Sequence, residues 1–232
     1  MIRPAPLPEI KKDASLEELL ALYETRYREL SALKGLARVH LAAPSLGRQG
    51  FQAALFLFRP EGFQMRGFDP LGGTLFDLVS RGDERRLTVS GRDQSERLEE
   101  LMDRGGPIRP SFFDFLGIPR VAAPEMAVLE KGEDDFKLMV LGRKADGPPR
   151  LLKAYLIERG EFRAVQTIYY SESGFPQANL FFSDFRKVKG FWLPFEVSGE
   201  SKQGRAEFTF LEMKPNPEGP DPAHRFDAAP GD

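Results

Sequence analysis

Seven runs of strand-forming residues follow one another from 127 to 212, and this succession limits what the chain can become more than any other feature. The runs cover 127–130, 136–141, 151–159, 162–170, 178–188, 191–198 and 205–212, and glycine or polar pairs separate them: Gly132, Gly147, Arg159-Gly160, Glu172-Ser173-Gly174, Lys189-Gly190 and Gly204. Connections that short leave no room for crossover helices, so the runs read as one long meander. Five further runs precede them, at 36–41, 50–58, 63–68, 74–80 and 86–90, with 43–49 as a loop and 63–68 plus 74–80 as a hairpin. The run 50–58 ends Leu55-Phe56-Leu57-Phe58. It is apolar on both faces, where a strand with one wet face would alternate, so both faces of the sheet are expected to be covered.

Three segments supply the cover. Ser15-Leu16-Glu17-Glu18 is a capping box, and Leu16, Leu19, Leu20, Tyr23, Tyr27 and Leu30 then fall at helical spacing. The other face of this helix mixes Glu with Arg, so its apolar stripe is expected on the domain and not on a membrane. Asp93-Gln94-Ser95-Glu96 is a second capping box, leading into a short helix with Leu98, Leu101 and Met102 that stops at Gly105-Gly106-Pro107. Ser111-Phe112-Phe113-Asp114-Phe115-Leu116-Gly117 is too short and aromatic to stand alone. It reads as a lid segment pressing phenylalanines onto something apolar. The layout is one domain over 15–214, between a Pro-rich spacer at 1–14 and a Pro-rich tail at 215–232. At ~3.1 Å per residue the spacer reaches about 40 Å if extended.

Between two strand runs stands Phe68-Asp69-Pro70-Leu71-Gly72-Gly73. Asp69 suits the first position of a type I turn, Pro70 presets the backbone at the second, and Gly72 suits the fourth. Leu71 then occupies the third, where a leucine gains nothing from water. Either it folds back onto the domain or it is aimed at something apolar outside the protein.

Composition excludes several function classes. Lys plus Arg number 33 against 35 for Asp plus Glu, a net charge of −2, which leaves no electrostatic footprint for nucleic acid. With no cysteine there is no disulfide, no thiol nucleophile and no Cys-based zinc site. The two histidines, His40 and His224, have no carboxylates clustered near them, and no metal or cofactor is expected. No G-x-S-x-G elbow or phosphate loop occurs, and the adjacent pairs Glu99-Glu100 and Asp134-Asp135 point to different faces, so the chain does not read as an enzyme. Phenylalanine dominates the aromatics, 20 against five tyrosines and one tryptophan, which suits a large core without hydrogen-bonding demands. No apolar run approaches the roughly 20 residues of a spanning helix. Either the protein is cytosolic or the chain begins after a removed export signal, and Met1-Ile2-Arg3-Pro4 running straight into Pro-rich sequence favours the second.

The stretch Asp69-Pro70-Leu71-Gly72-Gly73-Thr74-Leu75-Phe76-Asp77-Leu78, then a capped helix, then Phe112-Phe113-Asp114-Phe115-Leu116-Gly117-Ile118-Pro119, resembles the LolB outer-membrane lipoprotein receptors, whose fold is shared by LolA-type carriers. Phe182-Ser183-Asp184-Phe185 through Phe191-Trp192-Leu193-Pro194 resembles a strand-turn-strand of the same proteins. The resemblance implies a mainly β (α+β) fold, a half-open antiparallel barrel of about eleven strands with a helical lid over its concave face. It implies a non-enzymatic cavity for lipoprotein acyl chains, a LolA-like periplasmic donor and delivery into the outer-membrane bilayer. It also assigns Asp69, Pro70, Leu71 and Gly72 to a membrane-insertion turn. The acylated N-terminal cysteine of LolB is missing and would have stood about where Met1 stands, so the expected address is the periplasmic face of the outer membrane through a lipid anchor, or otherwise the periplasm. A monomer is expected.

Strand alternation offers two candidate cavity faces. The one chosen carries Phe51, Ala53, Leu55 and Leu57 with Phe63 and Met65 beside them, and Phe112, Phe113, Phe115 and Leu116 come from the lid. Burying one leucine is worth ~1.5–3 kcal/mol, so Leu71 can touch a bilayer but cannot anchor the protein there. Two other readings stand beside this one: a carrier of another lipid or glycolipid, and an envelope-assembly protein with a filled core.

Overall fold

The computed structural model describes residues 12–44, 47–59, 62–81, 84–90, 112–143 and 147–218. The second capped helix expected around 93–106 lies outside these residues, as do the spacer up to residue 11 and the tail from 219. The chain opens with α1 (Leu16–Glu29), followed by β1 (Ala32–Ala43), β2 (Gly47–Phe58), β3 (Gly62–Phe68), β4 (Thr74–Arg81) and β5 (Glu84–Val89). A four-residue helix, α2 (Phe112–Phe115), precedes β6 (Met126–Lys131), β7 (Asp135–Gly142), β8 (Arg150–Glu158), β9 (Ala164–Tyr170), β10 (Pro176–Val188), β11 (Phe191–Ser201) and β12 (Gly204–Pro215).

All twelve strands form one antiparallel sheet in the order β5-β4-β3-β2-β1-β12-β11-β10-β9-β8-β7-β6, one strand more than the expected eleven or so. The first strand and the last are therefore central neighbours, paired from Leu33 with Pro215 to Ala42 with Arg205. The chain meanders outward from β1 to the β5 edge, crosses over, and meanders back from the β6 edge. The sheet does not close on itself, and the helices lie on one of its faces: a half-open barrel with a helical roof.

Period-two alternation decides that face. The register sets Leu33, Ala37 and Val39 of β1 against Leu57, Ala53 and Phe51 of β2, and then Leu57 and Leu55 against Phe63 and Met65 of β3. Farther round, Leu138 of β7 stands against Tyr155 of β8, which stands against Thr167 of β9. Phe76 reaches across Gly67, where a Cβ would lie 2.4 Å from the ring, and meets Phe51 edge-on at 5.3 Å.

The sequence placed the start of β1 too late, at 36 in place of Ala32. The cause is a distant residue: Asn216, just past β12, accepts from Ser31 N (2.8 Å) and Ala32 N (3.2 Å) and donates to Glu29 O (2.7 Å), ending α1 and starting β1 together. The expected strand from 162 begins instead at Ala164, because Phe162 sits at φ 52. Its carbonyl is held there by Tyr23 Oη (3.1 Å) and Arg26 Nη1 (2.7 Å) from α1.

Candidate lipid-binding site

Among the described residues, two pieces roof the inner face. Helix α1, started by the Ser15/Glu18 capping box, buries Leu19 and Tyr23 against Phe136, Leu138, Tyr155 and Ile157 of β7 and β8. The α2 segment covers the rest: Leu116 and Ile118 are buried among Leu55, Leu57, Phe182, Leu193 and Phe210 in one cluster. Phe115 stands edge-on to Phe208 at 5.0 Å and to Phe210 at 6.2 Å. Gly117 turns the chain out of α2 at φ 65, with its N–H on Asp114 O at 3.1 Å. A Cβ there would lie 3.2 Å from Ala164 O and 3.3 Å from the Phe182 ring, so the segment is seated tightly on β9 and β10.

A polar island interrupts this apolar face. Asp114 of α2 is buried and accepts from Lys153 Nζ at 3.1 and 3.2 Å and from the Tyr155 hydroxyl. The Lys153 and Asp114 side chains are 14 % and 4 % exposed, so the pair is shielded from water. Beside it on β9, the hydroxyls of Thr167 and Tyr169 are buried and find no hydrogen-bond partner among the described residues. Burial, and after it the Asp114 charge, push the Tyr155 and Tyr169 hydroxyls well above their ordinary pKa, so both stay protonated.

Next to the α2 segment, a cleft of about 190 Å³ opens between α1 and the β10–β11 hairpin. Leu22, Leu116, Phe185, Phe191, Trp192 and Leu193 make it apolar, and Arg26, Glu29 and Arg163 rim it. Arg163 is fixed by Glu158 Oε1 at 2.8 Å and stacks over Phe185 and Trp192 at 4.9 and 5.1 Å.

The candidate cavity residues lie on one face. Ala53, Leu55, Leu57 and Leu116 are buried there, and Phe51, Phe63, Met65 and Phe115 pack against them half-buried. Phe112 and Phe113 open α2, whose described side chains begin at Asp114. Asp69, Pro70, Leu71 and Gly72 form the β3–β4 turn: Gly72 N donates to Asp69 O at 3.0 Å, and Asp69 Oδ1 accepts from Leu71 N (2.8 Å) and Gly73 N (2.9 Å). Leu71 is 96 % exposed. Sequence reasoning missed Asp114, Lys153, Tyr155, Thr167 and Tyr169. One signal was available: Lys153 shares inward parity with Tyr155 and Ile157 inside an apolar run, as a lone charge that must find a buried partner.

No protein-family model matches the sequence, and no curated protein matches it either. Solved structures do. A domain described as an outer membrane lipoprotein-sorting protein, from Vibrio parahaemolyticus, superimposes with a TM-score of 0.51 at 9 % identity, over 86 % of this chain and 91 % of its own. A LolA superfamily protein from Nitrosomonas europaea gives 0.53 at 15 % identity, over 89 % and 96 %. A DUF1329 family protein from Desulfovibrio piger gives 0.52 at 12 % identity, over 89 % and 93 %. At these identities the likeness is one of fold: the chain adopts the LolA-like half-barrel, sheet, open edges and helical roof together.

Proposed function

We propose that the protein is a non-enzymatic carrier that takes up the acyl chains of lipoproteins on the inner face of the half-barrel and delivers them into the outer membrane from its periplasmic side, in the manner of LolB, with a LolA-like carrier as donor. One observation carries the reading. Among the described residues the apolar face of the sheet is covered by helical segments and not by a second sheet, with Phe115, Leu116 and Ile118 packed on the cluster around Leu55, Leu57 and Phe210. A helical cover shares no strand pairing with the sheet, so it can leave and be replaced by acyl chains, which need apolar contact and no chemistry. No helix among the described residues is long and apolar enough to cross a membrane. In this reading the exposed Leu71 tip makes the contact with the bilayer.

The packed state of the same face favours the filled-core reading as the competitor, since Phe115, Leu116 and Ile118 occupy the space acyl chains would take. Leu71→Glu separates the two. The Leu71 side chain stands in solvent, so the variant should melt like the wild type and, by native mass spectrometry of protein from its own envelope, retain the same bound triacylated peptide. Transfer of that cargo to membranes should stop. Unchanged transfer removes Leu71 from the mechanism, a small bound lipid redirects the reading to another amphiphile, and no bound lipid in either protein favours the filled core.

A further inference from the structure

Two turns of unrelated sequence, Asp69-Pro70-Leu71-Gly72-Gly73 and Ser171-Glu172-Ser173-Gly174-Phe175, have the same construction. In each the first N–H donates to the fifth carbonyl (Asp69 to Gly73, 2.9 Å; Ser171 to Phe175, 2.8 Å), and the fourth N–H donates to the first carbonyl at 3.0 Å. In each a glycine holds the fourth position in the left-handed region, at φ 86 and φ 80. In each the first side-chain oxygen accepts from the fifth N–H, at 2.9 Å from Gly73 and 3.0 Å from Phe175. Each presents one large apolar side chain to solvent. Leu71 is 96 % and Phe175 72 % exposed, and the next such residue, Val128 on a strand, reaches only 43 %.

The topology puts both turns at one end of the sheet. Strands β1, β3 and β9 are separated by even numbers of antiparallel steps, so they run in the same direction and the turns after β3 and β9 share an end. Six strand spacings of about 4.8 Å separate the two hairpins, roughly 30 Å along the curved sheet. The hairpins standing between them carry exposed Arg48 and Lys202, and exposed Arg143 follows β7 at the same end. The acidic groups of the two turns are occupied, Asp69 by backbone N–H groups and Glu172 by Arg150 at 2.6 Å. The opposite end mixes Lys131, Arg159 and Lys189 with Glu133, Asp134 and Glu161.

We propose that the Phe175 turn is a second lipid-contacting tip, and that this end of the sheet seats on an anionic bilayer with Leu71 and Phe175 as two separated prongs and Arg48, Lys202 and Arg143 against the headgroups. The inference rests on the membrane-delivery reading above and adds a pose to it. One leucine on a turn leaves the molecule free to pivot; two prongs at opposite flanks fix it end-on. A protein partner would be met by a contiguous apolar centre ringed by polar groups. Isolated side chains on hairpins six strands apart suit a fluid bilayer, which accepts them at any spacing, and basic residues near an anionic surface add to the attraction.

The chain has no cysteine. Leu71→Cys, Phe175→Cys and, at the opposite end, Glu133→Cys can therefore each be labelled in the full chain with a polarity-sensitive fluorophore. With vesicles of phosphatidylethanolamine and phosphatidylglycerol, the labels at 71 and 175 should brighten and shift to the blue, while the label at 133 should not. Unlabelled Phe175→Ser should partition onto the same vesicles about tenfold more weakly than wild type, as expected for losing one inserted aromatic, with its melting temperature unchanged. A response at 71 alone, with Phe175→Ser partitioning normally, overturns the second tip and leaves the delivery reading standing. Silence at both positions overturns both. A response at 175 that needs native envelope and fails with protein-free vesicles assigns the turn to a protein and overturns the lipid contact.

Discussion

Lys153 and Asp114 form the joint between roof and sheet, and the joint is asymmetric in its consequences. A buried ion pair contributes little net stability when intact, because desolvating both charges offsets their attraction, but removing one partner strands the other. Asp114→Leu would leave an ammonium at 14 % exposure with no counter-charge and leave the Tyr155 hydroxyl without its acceptor. The expected loss is about 3 kcal/mol, at the lower end for buried pairs because Lys153 can still lean toward water. The double variant Asp114→Leu/Lys153→Met should recover much of that loss, short of wild type because the Tyr155 hydroxyl still lacks an acceptor. Urea denaturation of the two single variants and the double measures the coupling directly. Additive losses would mean that the pair does not hold α2 down.

Helix α1 shows what a local reading can and cannot reach. Its start was legible, since Ser15 and Glu18 make their reciprocal cap within four residues of chain. Its end was not, because Asn216 lies 187 residues from the Glu29 carbonyl it caps. The β8–β9 turn that receives α1 was misread for the same reason: Tyr23 and Arg26, distant in sequence, hold the Phe162 carbonyl there. That turn is also acid-sensitive. Burial by itself would raise the Glu158 carboxyl, but hydrogen bonds from the Arg163 side chain and from the backbone N–H groups of Glu161, Arg163 and Gly160 outweigh it and hold the carboxyl below its ordinary value of 4.5. A lowered folded-state pKa means that this contribution is complete above pH 4.5 and is lost as pH falls below it through the folded value. Melting temperatures over a pH series should therefore drop more steeply in acid for wild type than for Glu158→Gln. Parallel curves would show that Glu158 does not couple the turn to pH.

Across the whole molecule, alternation within β2 offered two faces because the run is apolar on both, and only the register and packing of the fold put Phe51, Ala53, Leu55 and Leu57 on the inner one. The closure was not readable, since nothing within 32–43 or 204–215 says that these two strands are partners. Yet that seam decides how the molecule holds together. β12 is the bridge between the β1–β5 half and the β6–β11 half, and it supplies Phe208, Phe210 and Met213 to the cluster that seats α2. The pairing brings together segments more than 160 residues apart, so its loop-closure entropy is met only once most of the other strands can add their contacts. A chain ending at Gln203 loses the β11–β12 hairpin together with the seam, keeps the other hairpins, and leaves the inner faces of both halves open to water. Such a chain should retain strand signal in the far-ultraviolet, lose its cooperative thermal transition and bind a hydrophobic dye that the full chain excludes. Retention of a single sharp transition in the shortened chain would show that one half folds without the other, and would move the stabilising centre away from the β1–β12 seam.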